Sequence, residues 1–136
     1  MKPDPKNVVY IVDDDPDDRQ IILDAFLEHN TRMDYVFIEN ADELMNSLQG
    51  CSENEYPSLI LLDLNMPGML GLQALKEIKN NKDYSQIPTI VLTTSTLHSD
   101  RNASYGLGAN CFLSKPSSYT DLVALTNAIA KLWFNE

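Results

Sequence analysis

The apolar run Leu59–Leu62, followed directly by Asp63, constrains the fold of this chain more than any other feature. A continuous apolar run of this length, closed by the turn residues Pro67 and Gly68, is typical of a strand buried on both faces. Such strands belong to parallel sheets with helices on both sides. Because ligands bind at the carboxyl ends of these strands, the sequence predicts that Asp63 lies in a functional crevice.

Strand and helix patterns alternate along the rest of the chain. Further strands are predicted at residues 8–12, 35–38, 88–93 and 111–113. Helices follow them, with apolar stripes formed by Ile22, Ala25 and Phe26; by Leu44, Met45 and Leu48; by Ala74, Leu75 and Ile78; and by Leu122, Leu125, Ile129 and Leu132, together with a short helix at 100–105. This alternation predicts an α/β fold, a (βα)5 three-layer sandwich whose parallel sheet has the flavodoxin-like order 2-1-3-4-5.

Two groups of side chains lie outside these stripes. Lys76, Lys79 and Lys82 occupy the polar side of the third predicted helix, and we expect them to form a solvated face. Trp133 and Phe134 come near the end of the last helix, and we expect them to fold back on the sheet rather than form a patch for a partner.

Polar residues follow four of the predicted strands. Asp13 and Asp14 come after the first strand, Asp63 after the third, Thr93 ends the fourth, and Lys115 follows the fifth. The order 2-1-3-4-5 has its switch point between strands one and three, so the three carboxylates are predicted to converge on one crevice. Thr93 and Lys115 flank it. Each residue alone is weak evidence, but their common placement at one edge of the sheet favours a site.

Three carboxylates in one crevice need a compensating charge. Each pair costs about 1 to 4 kcal/mol at 4 Å, depending on the effective dielectric. Oxygen ligands with room for water suit Mg²⁺, which favours Asp13, Asp14 and Asp63 as a magnesium site. The alternative is that the acidic run at residues 13–18 is only a solvated helix N-terminus.

Asp63 also has the chemistry of a phosphoryl acceptor, since aspartate can form an aspartyl phosphate. An incoming phosphoryl group carries charge on three oxygens. The Lys115 ammonium and the Thr93 hydroxyl are suited to two of them, and a metal ion to the third.

The chain resembles the receiver domain of two-component response regulators over residues 8–132. The resemblance rests on the Asp13–Asp14 pair, on Asp63 within Leu-Leu-Asp-Leu-Asn-Met-Pro-Gly, on Thr93 and on the Lys-Pro pair at 115–116. The family implies that Asp63 is the phospho-acceptor and that Thr93 and Lys115 contact the phosphoryl oxygens. It also implies a cis peptide bond between Lys115 and Pro116.

The resemblance further implies a metal site and a switch. Asp14, Asp63 and the main-chain oxygen of Asn65 would bind Mg²⁺, with Asp13 supporting the metal. Phosphorylation would draw the Thr93 hydroxyl inward, and Phe112, where many members carry tyrosine, would move into the vacated space. Ser95, two residues beyond Thr93, lies where the family tunes the lifetime of the phosphoryl group.

The family also implies partners. The donor would be a sensor histidine kinase or a phosphotransfer protein, and the surface of helix 4, strand 5 and helix 5 would signal to a downstream protein that the sequence does not identify. The same surface would serve a homodimer. The Leu-Thr-Thr-Ser-Thr run at 92–96 and the aromatic end resemble single-domain receivers that partner phytochrome-type kinases. We therefore expect a stand-alone receiver spanning 1–136, with a core at about 7–134 and no output domain.

Composition bounds the environment of the protein. The 136 residues suit one domain, and the net charge of -10 disfavours direct nucleic-acid binding and polybasic membrane binding. No apolar run is long enough to cross a bilayer, no secretory signal is present, and the two cysteines form no CxxC pair, so we expect a cytoplasmic protein.

Other functions compete with a phospho-switch that is not an enzyme. A phosphatase of the haloacid-dehalogenase type would need a second aspartate two residues after Asp63, where this chain has Asn65. A flavodoxin would need a phosphate-binding loop after the first strand, and the acidic run at 13–18 would repel a phosphate there. A phosphorylation-independent interaction module of receiver fold is the closest alternative, and its mark would be loss of an acceptor, metal or lysine residue; none is lost.

Overall fold

The sheet contains five parallel strands. A computed structural model describes residues 7–29, 33–65, 71–94 and 97–134. The strands are β1 (Asn7–Val12), β2 (Met33–Ile38), β3 (Leu59–Leu62), β4 (Thr89–Thr93) and β5 (Cys111–Ser114). The helices are α1 (Pro16–Leu27), α2 (Ala41–Gln49), α3 (Gly71–Asn80), α4 (His98–Gly106) and α5 (Tyr119–Phe134), with a short 3-10 helix at Glu53–Glu55. The strands pair in the order β2-β1-β3-β4-β5, which confirms the predicted fold class and topology.

Apolar side chains cover both faces of the sheet and make two cores. On one face, alternate strand residues pack with α2 and α3, and this core includes Tyr10, Val12, Ile60, Leu62, Leu44, Leu48, Leu75 and Ile78. On the other face, the intervening residues pack with α1 and α5, and this core includes Val9, Ile11, Leu59, Leu61, Ile22, Phe26, Leu122 and Ile129. All four residues of β3 are buried, each contributing roughly 1.5–3 kcal/mol. The sheet is thus the middle layer of the predicted three.

Local sequence determines where α1 and α3 begin. The carboxylate of Asp15 accepts the N–H of Asp17 at 2.9 Å, and Pro16 takes the first helical position of α1. At the start of α3, a Cβ on Gly71 would lie 2.5 Å from Cα of Leu64 and 2.7 Å from the main-chain oxygen of Asp63. Only glycine allows this approach, which brings α3 against the backbone that follows β3.

The end of α5 differs in part from the expected stripe. Leu132 was predicted to face the core, and this is wrong, since it is 73% exposed. The inward positions of the helix belong to Leu122, Thr126, Ile129, Ala130 and Trp133. A repeat of 3.6 residues places Trp133 inward after Ile129 and Ala130, so Leu132 points to solvent. Trp133 and Phe134 pack against the core beneath α1 and α5, which confirms that they fold back.

Lys79 departs from the predicted solvated face of α3. Its Nζ donates to the main-chain oxygens of Ser85 (3.2 Å) and Ile87 (2.8 Å) and to Oδ1 of Asn110 (3.1 Å). Burial lowers the pKa of this ammonium. The stem of Lys79 covers Gly108. This position favours glycine for two reasons: its φ is 102°, and an added Cβ would lie only 3.2 Å from Cγ of Lys79. Lys76 and Lys82 are exposed, as predicted, but the placement of Lys82 on this helix is wrong, because α3 ends at Asn80.

Within the described ranges, no helix combines the length and apolar composition that a bilayer-spanning segment needs. The predicted turn at Pro67 and Gly68 lies outside the described residues, as does Ser95.

Candidate functional site

The strand ladders place Asp13 and Asp63 side by side at the carboxyl edge of the sheet. The N–H of Asp13 donates to the carbonyl of Ile38 at 3.0 Å, and the N–H of Asp63 donates to that of Val12 at 3.0 Å. Each bond extends a parallel pairing one residue beyond its strands. Both carboxylates are buried, with Asp13 2% and Asp63 6% exposed. The predicted convergence of β1 and β3 on one crevice is therefore observed.

Each carboxylate oxygen of Asp63 accepts hydrogen bonds from defined donors. Oδ1 accepts the hydroxyl of Thr93 at 3.0 Å and the N–H of Asn65 at 3.1 Å. Oδ2 lies 3.2 Å from Nζ of Lys115. Thr93 is fully buried, and its oxygen also lies 3.4 Å from Nδ2 of Asn65. The structure thus brings three of the predicted residues, Asn65, Thr93 and Lys115, together around the buried carboxylate of Asp63.

Lys115 is shared by three carboxylates. Its Nζ lies 2.6 Å from Oδ2 of Asp13, 3.0 Å from Oδ2 of Asp18 and 3.2 Å from Oδ2 of Asp63. Burial alone would lower the pKa of this ammonium, but the hydrogen bonds to Asp13 and Asp18 and the charge of Asp63 outweigh it. The pKa of Lys115 therefore lies above its ordinary value.

Asp13 is the most buried acid of the site. Burial raises the pKa of its carboxyl and the nearby Asp63 adds to the rise, while the ammonium of Lys115 and the N–H of Asp15, 3.0 Å from Oδ1, oppose it. The guanidinium of Arg19 donates to the main-chain oxygen of Asp13 at 2.7 Å. This bond fixes the backbone at the point where the chain passes from β1 to α1.

The donor set fits a hard divalent cation. Asp13, Asp14 and Asp63 each offer a carboxylate oxygen, and these oxygens lie within 4.8 Å of one another. Asp14 is exposed while the other two are buried, so the cluster opens to solvent on one side. Oxygen ligands with access for water are the environment that Mg²⁺ prefers. The ammonium of Lys115 already contacts two of the three carboxylates, which shows that the cluster holds a positive charge.

The peptide bond between Lys115 and Pro116 is not cis, because the described residues contain no cis peptide bond. The prediction is wrong for this structure. The trans isomer is the lower-energy form of an X–Pro bond by about 0.5–1 kcal/mol, and with it Lys115 still reaches all three carboxylates.

Phe112 lies on β5, at the edge of the sheet. It is half-buried against the core that includes α2 and α3. Its N–H donates to the hydroxyl of Tyr105 on α4 at 3.1 Å. The guanidinium carbon of Arg101 lies 5.9 Å from the centre of the Tyr105 ring. Tyr105 thus joins α4 to the exposed edge of β5.

Sequence reasoning missed Asp18 as a member of the site. Its signal was available, since Asp18 precedes the buried Ile22 by four residues and so lies on the inward face of α1. A cleft of about 250 Å³ opens beside it, lined by Asp18, Ile21, Ile22, Lys115, Pro116, Ser117, Tyr119 and Leu122. Arg19 and Tyr105 were missed as well, because their partners are backbone atoms that no side-chain pattern marks.

Known proteins are similar to this chain in both sequence and fold. A family model described as the response regulator receiver domain matches residues 9–127. Response regulator Rcp1 of Synechocystis sp. is 35% identical over 132 residues, covering 95% of this chain and 90% of Rcp1. The probable methanogenesis regulatory protein FilR2 of Methanothrix harundinacea is 30% identical over 128 residues, covering 93% of this chain and 83% of FilR2.

Two solved structures are similar over nearly the whole chain. The phosphorylated cyanobacterial phytochrome response regulator RcpA has a TM-score of 0.86 at 30% identity, covering 94% of each chain. The Mn²⁺-bound form of Rcp1 has a TM-score of 0.83 at 37% identity, covering 95% of this chain and 94% of Rcp1. By its matching family model, its relatives and its fold, the chain belongs to the response regulator receiver domains of two-component systems.

Proposed function

We propose that the chain accepts a phosphoryl group on Asp63 and acts as a phospho-switch rather than as an enzyme. The observation that carries this proposal is the environment of Asp63, a buried carboxylate whose oxygens meet a hydroxyl and an ammonium at 3.0 and 3.2 Å. Both donors belong to residues at the same edge of the sheet, where a phosphoryl group on Asp63 would lie. RcpA, similar over nearly the whole chain, is phosphorylated in its solved structure.

The transfer forms one bond and breaks one. A carboxylate oxygen of Asp63 attacks the phosphorus of a phosphohistidine, the O–P bond forms, and the P–N bond breaks. The imidazole nitrogen leaves with the electron pair and takes up a proton from solvent. Lys115 and the hydroxyl of Thr93 donate to phosphoryl oxygens as charge develops on them.

Mg²⁺ would be held by the carboxylates of Asp13, Asp14 and Asp63 and by the main-chain oxygen of Asn65. When bound, it neutralises charge on the phosphoryl oxygens and so makes attack by an anionic carboxylate easier. The oxygen-only donor set of the cluster supports this assignment, and Rcp1 has been solved in a Mn²⁺-bound form.

The output surface is formed by α4, β5 and α5. Phosphorylation would change the position of Thr93, and Phe112 on β5 would respond, altering the surface that a downstream protein or a second copy of the chain contacts. The bond between Tyr105 and the N–H of Phe112 supports this route, since it couples α4 directly to β5.

The donor is a histidine kinase or a phosphotransfer protein, and we assign it to the phytochrome type. The similarity to a phytochrome response regulator supports this choice. Phosphoryl transfer from a phosphorylated phytochrome-type kinase should be faster than from an unrelated histidine kinase at equal concentration. Equal rates from both would contradict the assignment of the kinase class while leaving the acceptor chemistry intact.

Intact mass spectrometry after incubation with acetyl phosphate tests the acceptor. We expect one phosphoryl adduct that needs Mg²⁺, is labile to hydroxylamine and is absent from Asp63→Asn. Asp42→Asn, at an exposed position in the first turn of α2, is the matched control and should keep the adduct. An adduct that persists in Asp63→Asn, or wild type that accepts nothing from either acetyl phosphate or a phosphohistidine donor, would contradict the proposal.

A further inference from the structure

The ammonium of Lys115 has no donor left for a further partner. A lysine ammonium carries three N–H groups, and three carboxylate oxygens lie at 2.6, 3.0 and 3.2 Å from Nζ. A phosphoryl oxygen that is to be contacted by Lys115 must therefore take the place of one of these three oxygens. The inference rests on the proposed function of Asp63.

Asp18 is the partner that can leave. Asp13 is 2% exposed, and its other oxygen accepts the N–H of Asp15, so its carboxylate is fixed. Asp63 is the acceptor itself, so its oxygens stay beside Lys115 whether or not they carry the phosphoryl group. The side chain of Asp18 is 39% exposed on the surface of α1, where water can solvate a released carboxylate. The cleft of about 250 Å³ beside Asp18 and Lys115 leaves room for that movement.

We propose that Asp18 is a positioning residue that holds Lys115 before phosphorylation and gives it up to the incoming phosphoryl group. Asp18 touches none of the reacting atoms and acts only through Lys115. It competes with the phosphoryl oxygen for one N–H of the ammonium, so it lowers the rate of phosphorylation. In the phosphorylated state this contact is already broken.

The two directions of the reaction are therefore affected differently. Loss of the Asp18 carboxylate removes a partner from the starting state of phosphorylation, so that rate rises. Hydrolysis starts from the state in which Lys115 already contacts the phosphoryl group, so its rate stays the same. A change that merely loosened the fold around the site would not divide the two rates in this way.

The test compares Asp18→Asn with Asp17→Asn and Asp18→Glu. Asp17 is exposed on the same turn of α1, and the carboxylates that contact Lys115 in the described part of the chain are those of Asp13, Asp18 and Asp63. Asp17→Asn thus removes the same negative charge, which would repel the anionic acetyl phosphate, but leaves all three carboxylate contacts of Lys115 in place. Asp18→Glu keeps the charge and can restore the contact.

Adduct formation from acetyl phosphate with Mg²⁺ is followed by intact mass, and adduct loss is followed after the donor is removed by desalting. Asp18→Asn should form the adduct about two- to fivefold faster than wild type, the range expected for a partly exposed ion pair. Asp17→Asn and Asp18→Glu should resemble wild type, and all four proteins should lose the group at equal rates.

Three results would overturn the inference. Asp18→Asn that is no faster than Asp17→Asn would show that Asp18 does not compete for Lys115. Equal acceleration of formation and loss would show a general loosening of the site. If wild type formed no adduct from any donor, both the proposed function and this inference would be wrong. The first two results would contradict only the inference and would leave Asp63 as the proposed acceptor.

Discussion

The Nζ of Lys115 lies 2.6 Å from Oδ2 of Asp13, an ion pair between residues that are 102 positions apart in the chain. It joins the end of β5 to the end of β1 across β3 and β4, which lie between them in the sheet. Asp63, at the end of β3, contacts the same ammonium at 3.2 Å. The positive charge that would meet a phosphoryl group thus also stabilises the acidic edge before any phosphorylation.

Replacement of Lys115 by methionine should destabilise the metal-free protein by about 3 kcal/mol, because it leaves two buried carboxylates without their cation. Mg²⁺ should restore more stability to this variant than to wild type, since both cations serve the same carboxylates. Urea unfolding with and without Mg²⁺ measures both effects. Lys131→Met, at an exposed position on α5, is the control and should change neither value. Equal stabilisation of all three proteins by Mg²⁺ would contradict a shared site.

The same variant should reveal a stability contribution that is lost at alkaline pH. The pKa of Lys115 is raised in the folded state, so its contribution is complete below about 10.4, the ordinary lysine value, and declines as pH rises through the higher folded value. The difference in unfolding free energy between wild type and Lys115→Met should stay constant through neutral pH and shrink above that point. Tyr10, whose pKa is raised by burial, titrates in both proteins, so the difference isolates Lys115.

The hydroxyl of Thr93 should matter beyond the volume of its side chain. Thr93→Val keeps the shape but removes one of the two donors that Oδ1 of Asp63 has in the described part of the chain, so stability should fall by about 1 kcal/mol and phosphorylation should slow. Thr93→Ser retains the hydroxyl and should phosphorylate faster than Thr93→Val. Phosphorylation rates and urea unfolding of the two variants make the comparison. If valine and serine gave the same phosphorylation rate, the hydroxyl would have no part in the transfer.

The fold and the centre of the site could be predicted because their signals are local. The apolar run before Asp63 marks a buried strand, and alternation of strands and helices fixes the parallel order that brings Asp13 beside it. Asp63, Thr93 and Lys115 each stand at a strand end, so topology alone brought them together. The metal-ligand role of Asn65 stays a prediction.

What sequence reasoning missed depends on contacts between side chains and elements that are distant in the chain. Lys79 has the spacing of a solvated residue, yet its ammonium reaches carbonyls six and eight residues away because the loop after α3 folds back under it. Asp18 looked like one acid among several in a helix N-terminus. Leu132 fits an apolar stripe by composition, but the neighbouring Trp133 takes the inward position. Tertiary contacts decided each case.

Lys79 should therefore contribute to stability through neutral partners, since the contacts of its ammonium in the described part of the chain are two carbonyls and the side-chain oxygen of Asn110. Lys79→Met keeps the apolar stem over Gly108 but removes the ammonium donor from the carbonyls of Ser85 and Ile87, of which the Ile87 carbonyl keeps only the hydroxyl of Thr89, at 3.2 Å, among the donors in the described residues. We expect a loss of about 1–2 kcal/mol. Lys76→Met, on the exposed side of the same helix, should change the unfolding free energy by less than about 0.5 kcal/mol. Urea unfolding of the two variants separates the contact from the mere loss of a charge.

The hydroxyl of Tyr105 should protect the edge of β5 from solvent. It accepts the N–H of Phe112 at 3.1 Å, and Tyr105→Phe removes this acceptor while keeping the ring. The Phe112 amide should then exchange its hydrogen about fivefold faster, as expected for loss of roughly 1 kcal/mol of local protection. Residue-resolved hydrogen exchange measures the effect, and amides of β3 should be unchanged.

Tyr119→Phe is the control for this variant, since it removes a tyrosine hydroxyl that donates to Glu28 at 2.9 Å without touching β5. Unchanged exchange at Phe112 in Tyr105→Phe, or equal acceleration in both variants, would contradict the link between α4 and β5. If this hydrogen bond is confirmed, exchange of the Phe112 amide also tests the proposed switch. Phosphorylation that moves Phe112 should alter exchange of its amide in wild type and should alter it less in Tyr105→Phe, where the bond is already gone.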